Sequence, residues 1–148
     1  MDDLNLSTLI WLRMARFVQN SNQLSNDHLR QFGLTVAQFE ALAHIRNFEP
    51  ITQSALAEGL TVSGGGISRM LTRLESEGLI SREQDWKTKH ISLTSKGREL
   101  LERAFPSQVD QQASLFDDAL TEDEKVHLHA LMKKLYDTSR MRGQSTRE

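Results

Sequence analysis

The stretch from Ser63 to Ile80 constrains the fold most. Ile67, Met70, Leu71 and Leu74 stand at i, i+3, i+4 and i+7, so they share one face of a helix. Gly65, Ser68, Arg69, Thr72 and Arg73 lie towards the other side. Small and hydroxylated residues come first, and cations follow. Ser63 suits the N-cap, because its hydroxyl can accept an otherwise unpaired first-turn N–H. Gly78 falls just past the last periodic residue, where helices readily end, and Leu79-Ile80 begins a buried strand.

The flanks extend this pattern. Thr52 is placed to cap a short helix, Gln53 to Glu58, with Leu56 inward, and Gly59 to Val62 reads as a turn. Ile80 to Gln84 and Lys89 to Leu93 read as strands joined by Asp85-Trp86-Lys87-Thr88. His90, Ser92 and Thr94 alternate with Ile91 and Leu93, the period of a half-buried strand. Helix, turn, helix, strand, charged tip, strand is the order of a winged helix-turn-helix, a module that reads duplex DNA. A helix in a major groove needs small residues where backbones approach, and Arg where phosphates or guanine edges are met. The candidate contacts are Ser63, Gly65, Gly66, Ser68, Arg69, Thr72 and Arg73 on the helix, with Lys87 and Lys89 on the wing. Ser68 and Arg69 are expected to read bases or phosphates; Arg73, Lys87 and Lys89 are expected mainly to supply phosphate charge.

Charge agrees with this placement. The whole chain carries only −2. Residues 63–98 hold seven bases and four acids, net +3, while 1–62 carry −2 and 99–148 carry −3. The positive segment coincides with the proposed reading head.

Thr52-Gln53-Ser54-Ala55-Leu56-Ala57, Val62-Ser63, Ser68-Arg69-Met70-Leu71-Thr72-Arg73-Leu74-Glu75, Gly78-Leu79-Ile80 and Leu93-Thr94-Ser95-Lys96-Gly97 follow one another in order and at suitable spacing. This series, about a third of the chain, resembles the MarR family of bacterial winged-helix transcription regulators. The resemblance implies a mainly α fold with a small β-hairpin wing. It implies an N-terminal dimerisation helix in 1–32, the DNA-binding domain in 33–98, and C-terminal dimerisation helices and a tail in 99–148. It further implies a homodimer on a pseudo-palindromic operator, acting most often as a repressor. Members often bind phenolic or other aromatic anions in a crevice between the dimer helices and the winged-helix domain. Here that crevice should fall near Trp11, Arg16, Phe39 and His44, where a cation beside an aromatic ring suits a carboxylate or phenolate. An equal alternative is that these four pack the subunit interface. The family's wing-tip Arg is replaced by Lys87, a hydrated point charge less suited to a narrow minor groove. Trp86 is expected to cap the hairpin by packing, the alternative being contact with DNA sugar.

Elsewhere, Leu4 to about Gln31 reads as one long helix, preceded by the acids Asp2 and Asp3. Between Leu9 and Val18 it is apolar nearly all round, interrupted by Arg13 and Arg16, which suits a helix packed on both sides. Gly33 ends it. Thr35 is placed to cap a helix through about Asn47, and Pro50 forbids its continuation. Thr94 caps a helix burying Leu100, Leu101, Ala104 and Phe105, and Pro106 predicts a kink or break near Phe105. The helix resumes through Val109, Ala113, Phe116 and Leu120. Thr121 and Glu124 form a capping box ahead of the stripe Leu128, Leu131, Met132 and Leu135. Arg140 to Glu148 reads as a frayed tail.

Gly64-Gly65-Gly66 weakens the first helical turn by roughly 0.8–1 kcal/mol per glycine. It admits three readings: close approach of N–H groups to phosphate, a helix that orders fully on DNA, or a loose start where Gly is tolerated. No Gly-Lys-Ser/Thr follows, so a nucleotide P-loop is excluded.

The chain has no Cys, which removes disulfides and thiol chemistry. No apolar run spans a bilayer and no signal pattern opens the chain, so a cytoplasmic protein without membrane contact is expected. His127 and His129 point apart on a helix, His28 and His44 are single, and Gln108, Asp110, Gln111 and Gln112 offer poor ligands apart from Asp110. No metal, cofactor or catalytic constellation is expected. The alternatives to a ligand-released repressor are a winged helix that binds only protein and a regulator with no small-molecule effector.

Overall fold

In the computed structural model, residues 4–61 and 66–147 are described. Capping chemistry sets most helix starts. Asn5 Oδ1 accepts from Thr8 N at 2.9 Å and opens α1, Leu6–Leu29, slightly later than expected. One 3₁₀ turn, Arg30–Phe32, follows before Gly33. Thr35 opens α2, Val36–Phe48, in a reciprocal capping box with Gln38. Ile51–Thr52 forms a short strand, β1, and Thr52 then caps α3, Gln53–Gly59. After the undescribed residues come α4, Ile67–Ser76, and the hairpin of β2, Ile80–Asp85, and β3, Thr88–Leu93. The long helix α5, Ser95–Asp117, and α6, Glu122–Ser145, complete the chain. The architecture is mainly α with a small β wing, as expected.

The sheet is antiparallel in the order β1-β3-β2. Ile91 of β3 faces Ile51 of β1 and Arg82 of β2, so the wing is tied to the helical body through β1. Strand β1 was not anticipated, because two residues show no periodicity.

The chain divides into two compact units, Met1–Gln111 and Gln112–Glu148. In the first, Leu29, Leu42, Ile45, Leu56, Leu71, Leu74, Ile91 and Leu101 form a fully buried core. Fully burying such a side chain is worth about 1.5–3 kcal/mol. Two close approaches hold the hairpin base. Gly78 has φ +76°, a left-handed turn that lets the chain leave α4, and its carbonyl accepts from Thr94 Oγ1 at 2.6 Å. Gly97 lies against the strand start, where a Cβ would stand 2.0 Å from the Leu79 carbonyl oxygen. Polar contacts also join α1 to the first half of α5. Buried Gln108 donates from Nε2 to Ser25 Oγ at 2.9 Å, and His28 Nε2 lies 3.0 Å from Ser107 Oγ.

Two expectations need correction. Of the kink or break expected near Phe105, the break does not occur, since α5 is continuous through Pro106. The carbonyl that Pro106 leaves unbonded belongs to Glu102, an exposed residue, so water can satisfy it. The tail is not frayed from Arg140, since α6 continues to Ser145. Ser145 and Thr146 hydroxyls bond back to the carbonyls of Met141 and Arg142 at 3.2 and 3.0 Å. In the second unit the Thr121–Glu124 capping box is formed, and Lys125 pairs with Asp117 and Glu122.

Candidate nucleic-acid interface

The amphipathic pattern of α4 resolves as expected. Ile67, Leu71 and Leu74 are buried and Met70 is half-buried, while Ser68, Arg69, Thr72 and Arg73 are exposed. Ser63 and Gly65, and with them the expected N-cap, lie outside the described residues. Gly66 is exposed at φ −121°, and a Cβ there would meet nothing within 4 Å. Neither backbone nor packing among the described residues requires glycine at 66. The segment after α3 is anchored by Glu40, whose carboxylate accepts from Thr61 N at 2.6 Å and Thr61 Oγ1 at 2.9 Å.

Two neighbours grip the outward face of α4. From α3, Gln53 Nε2 donates to Ser68 Oγ at 2.8 Å. From β2, Arg82 bonds Glu75 through Nε and Nη2 at 3.2 and 3.3 Å and donates to Thr72 Oγ1 at 3.2 Å. Thr72 Oγ1 itself donates to the Ser68 carbonyl at 2.9 Å. The Arg82 side chain is only 14% exposed. The Thr72 hydroxyl is therefore engaged within the protein, whereas Ser68 Oγ keeps its proton for an outside acceptor. Neither Gln53 nor Arg82 was among the sequence candidates. Their signals were present: Gln53 stands at the start of a capped helix, and Arg82 alternates with buried Ile80.

The cations divide by partner. Arg73 Nε bonds Glu77 Oε1 at 3.0 Å. Arg69, Lys87 and Lys89 are exposed and make no hydrogen bond or ion pair among the described residues. The hairpin tip is tighter than expected, since Asp85 pairs with Thr88 and leaves a two-residue turn, Trp86-Lys87. Trp86 does not cap the hairpin by packing. It is 92% exposed, at φ +54°.

The four crevice candidates occupy separate settings. Trp11 and Arg16 are exposed on α1. Phe39 stacks on Phe105, centroids 5.9 Å apart, and Arg46 covers the same Phe105 ring at 4.4 Å. His44 lies 4.6 Å from Phe48, and a Cβ on Gly59 would meet its ring at 2.2 Å. Phe39 and His44 are five residues apart on α2, about 140° around the axis. Among the described residues no cluster of three His, Asp or Glu could hold a metal ion, and no helix is long and apolar enough to cross a membrane.

Comparison with known proteins identifies the family. The family model for the MarR family matches residues 34–87. An uncharacterized HTH-type transcriptional regulator of Bacillus cereus (strain ATCC 14579) is 57% identical over 136 residues, 92% of either chain. The multiple antibiotic resistance protein MarR of Escherichia coli (strain K12) is 31% identical over 120 residues, covering 79% of this chain and 83% of that protein. The crystal structure of wild-type apo MarR from E. coli matches with a TM-score of 0.72 at 29% identity, over 89% of this chain and 97% of that one. An exposed helix with small and cationic residues, a basic wing and these relatives lead to one assignment: the chain belongs to the MarR family of DNA-binding, winged-helix transcriptional regulators.

Proposed function

We propose that the protein is a homodimeric repressor. It holds a pseudo-palindromic operator with one α4 in each of two successive major grooves. The observation that carries this reading is the outward face of α4, where Arg69 has no partner among the described residues and Ser68 Oγ is held by Gln53. Ser68 and Arg69 contact bases or phosphates. Arg73, Lys87 and Lys89 supply phosphate charge. Ser63, Gly65 and Gly66 bring the backbone close to the DNA, and the lack of an internal reason for glycine at 66 supports that role. Thr72 contributes through its place on the face.

Residues 1–32 and 99–148 supply the dimer contacts, and 33–98 the reading head. Support comes from apolar surface left open on α1, at Leu6, Ile10, Trp11 and Val18, and separately on α6, at Leu131, Leu135 and Tyr136. Exposed apolar faces of this kind mark subunit contacts. A transcription regulator with this role works in the cytoplasm, beside the chromosome.

A small aromatic or phenolic anion in the crevice near Trp11, Arg16, Phe39 and His44 releases the operator by changing the spacing of the reading heads. Its effect is limited to its differential affinity for the two spacings. Arg16 supports this, as an exposed cation with no partner among the described residues. The test is release of operator DNA by a panel of aromatic acids, phenols and quinones. One compound should release the wild type and fail on Arg16→Ala and Trp11→Ala. Unchanged responses in both variants would overturn the pocket.

A further inference from the structure

Trp86 is the most exposed large apolar residue among those described, and it sits at φ +54°. Neither property helps the free protein. A bulky side chain in the left-handed region is strained, and a bare indole leaves apolar surface in water. The hairpin itself needs neither: Asp85 and Thr88 close it in register, and Gln84 Nε2 donates to the Trp86 carbonyl at 3.5 Å. Glycine would suit this backbone better. A side chain that the fold does not use, in a conformation the fold must impose, points outside the chain.

Its neighbours define what lies there. Lys87 follows it in the turn and Lys89 comes two later, both exposed and without an ion pair among the described residues. An exposed indole with free cations on one side of it in the chain suits a polyanion with apolar surface between its charges. The minor groove of duplex DNA offers this: phosphates at its rims, deoxyribose along its walls, and base steps that apolar side chains can wedge. We propose that Trp86 is a DNA-contact residue, packing its indole on sugar or a base step of the minor groove while Lys87 and Lys89 take the flanking phosphates. This rests on the DNA-reading assignment above. The wing tip then senses groove shape through an apolar surface, where Lys87 alone would sense only charge. The indole N–H is in addition a donor for the groove-floor acceptors of A·T pairs.

The test compares full-length wild type, Trp86→Ala, Trp86→Gly, Trp86→Phe and Arg69→Ala on one operator duplex. Trp86→Ala and Trp86→Gly should weaken binding about 5- to 50-fold, and Trp86→Phe should stay within about threefold of wild type. The salt dependence of Trp86→Ala should match wild type, because no charge is lost. The Tm of Trp86→Gly should be no lower than wild type, since glycine accepts the turn, which separates a contact role from a folding defect. Tryptophan emission should change on adding DNA to wild type, and the change should largely vanish in Trp86→Phe. The proposal falls if Trp86→Ala and Trp86→Gly bind as tightly as wild type while Arg69→Ala is weakened, or if the emission change is the same in Trp86→Phe. Absence of DNA binding by wild type would instead overturn the DNA-reading assignment, and this proposal with it.

Discussion

The Arg82 guanidinium of β2 grips Glu75 of α4 with two hydrogen bonds, Nε to Oε2 at 3.2 Å and Nη2 to Oε1 at 3.3 Å. The same Nη2 reaches Thr72 Oγ1 at 3.2 Å, so one side chain spans about a turn of α4. With Gln53 bonded to Ser68, both the start and the middle of α4 are held by side chains from neighbouring elements. Arg82→Ala should cost about 1–2 kcal/mol of stability, since the pair is bidentate but Glu75 remains partly in water. It should also weaken operator binding without moving the salt slope as a lost phosphate contact would. Chemical denaturation and a salt titration together read this. Stability and affinity both equal to wild type would mean the grip is idle.

Arg69 and Arg73 look alike in sequence and differ in setting. Arg69 has no partner among the described residues, while Arg73 is paired with Glu77. Arg69→Ala should leave stability within about 0.5 kcal/mol of wild type and weaken operator binding by about 1–3 kcal/mol. Arg73→Ala should weaken binding less, because meeting a phosphate costs it an existing pair worth about 0.3–0.5 kcal/mol. Binding isotherms of the two variants decide the order, and a larger loss for Arg73→Ala would reverse the assignment.

Gly97 is the tightest point between α5 and the start of the hairpin. A methyl there would overlap the Leu79 carbonyl oxygen, which also accepts from Thr94 N at 3.1 Å and cannot simply move aside. Gly97→Ala should lose at least about 1–3 kcal/mol. Thermal or denaturant unfolding measures it, and a wild-type Tm would show that the helix shifts freely.

Local chemistry was legible in the sequence. Thr35, Thr52 and Thr121 cap the helices assigned to them because a cap depends on residues within one turn. The buried face of α4 was legible from spacing alone, as was the end of the helix at Gly78. What was missed depends on distance or on water. β1 is defined only by its pairing with β3, 40 residues on at Ile51 and Ile91. The Arg82–Glu75 pair joins two elements across a turn that spacing cannot measure. Pro106 predicts a kink or break, and the break does not occur because its orphaned carbonyl, on exposed Glu102, faces solvent, which sequence does not say. Trp86 was expected to pack because apolar residues usually do, and its left-handed backbone is set by the two-residue turn.

The central claim is that α4 and the wing hold DNA. Its most direct test is fluorescence anisotropy on duplex DNA from the region upstream of the protein's own gene, titrated over a range of salt, with wild type and Lys87→Ala side by side. The wild type should bind with affinity that falls as salt rises, and Lys87→Ala should lower the slope of log K against log salt by about one unit per subunit. Binding that ignores salt, or no binding there or to any operator selected from genomic DNA, would contradict the account.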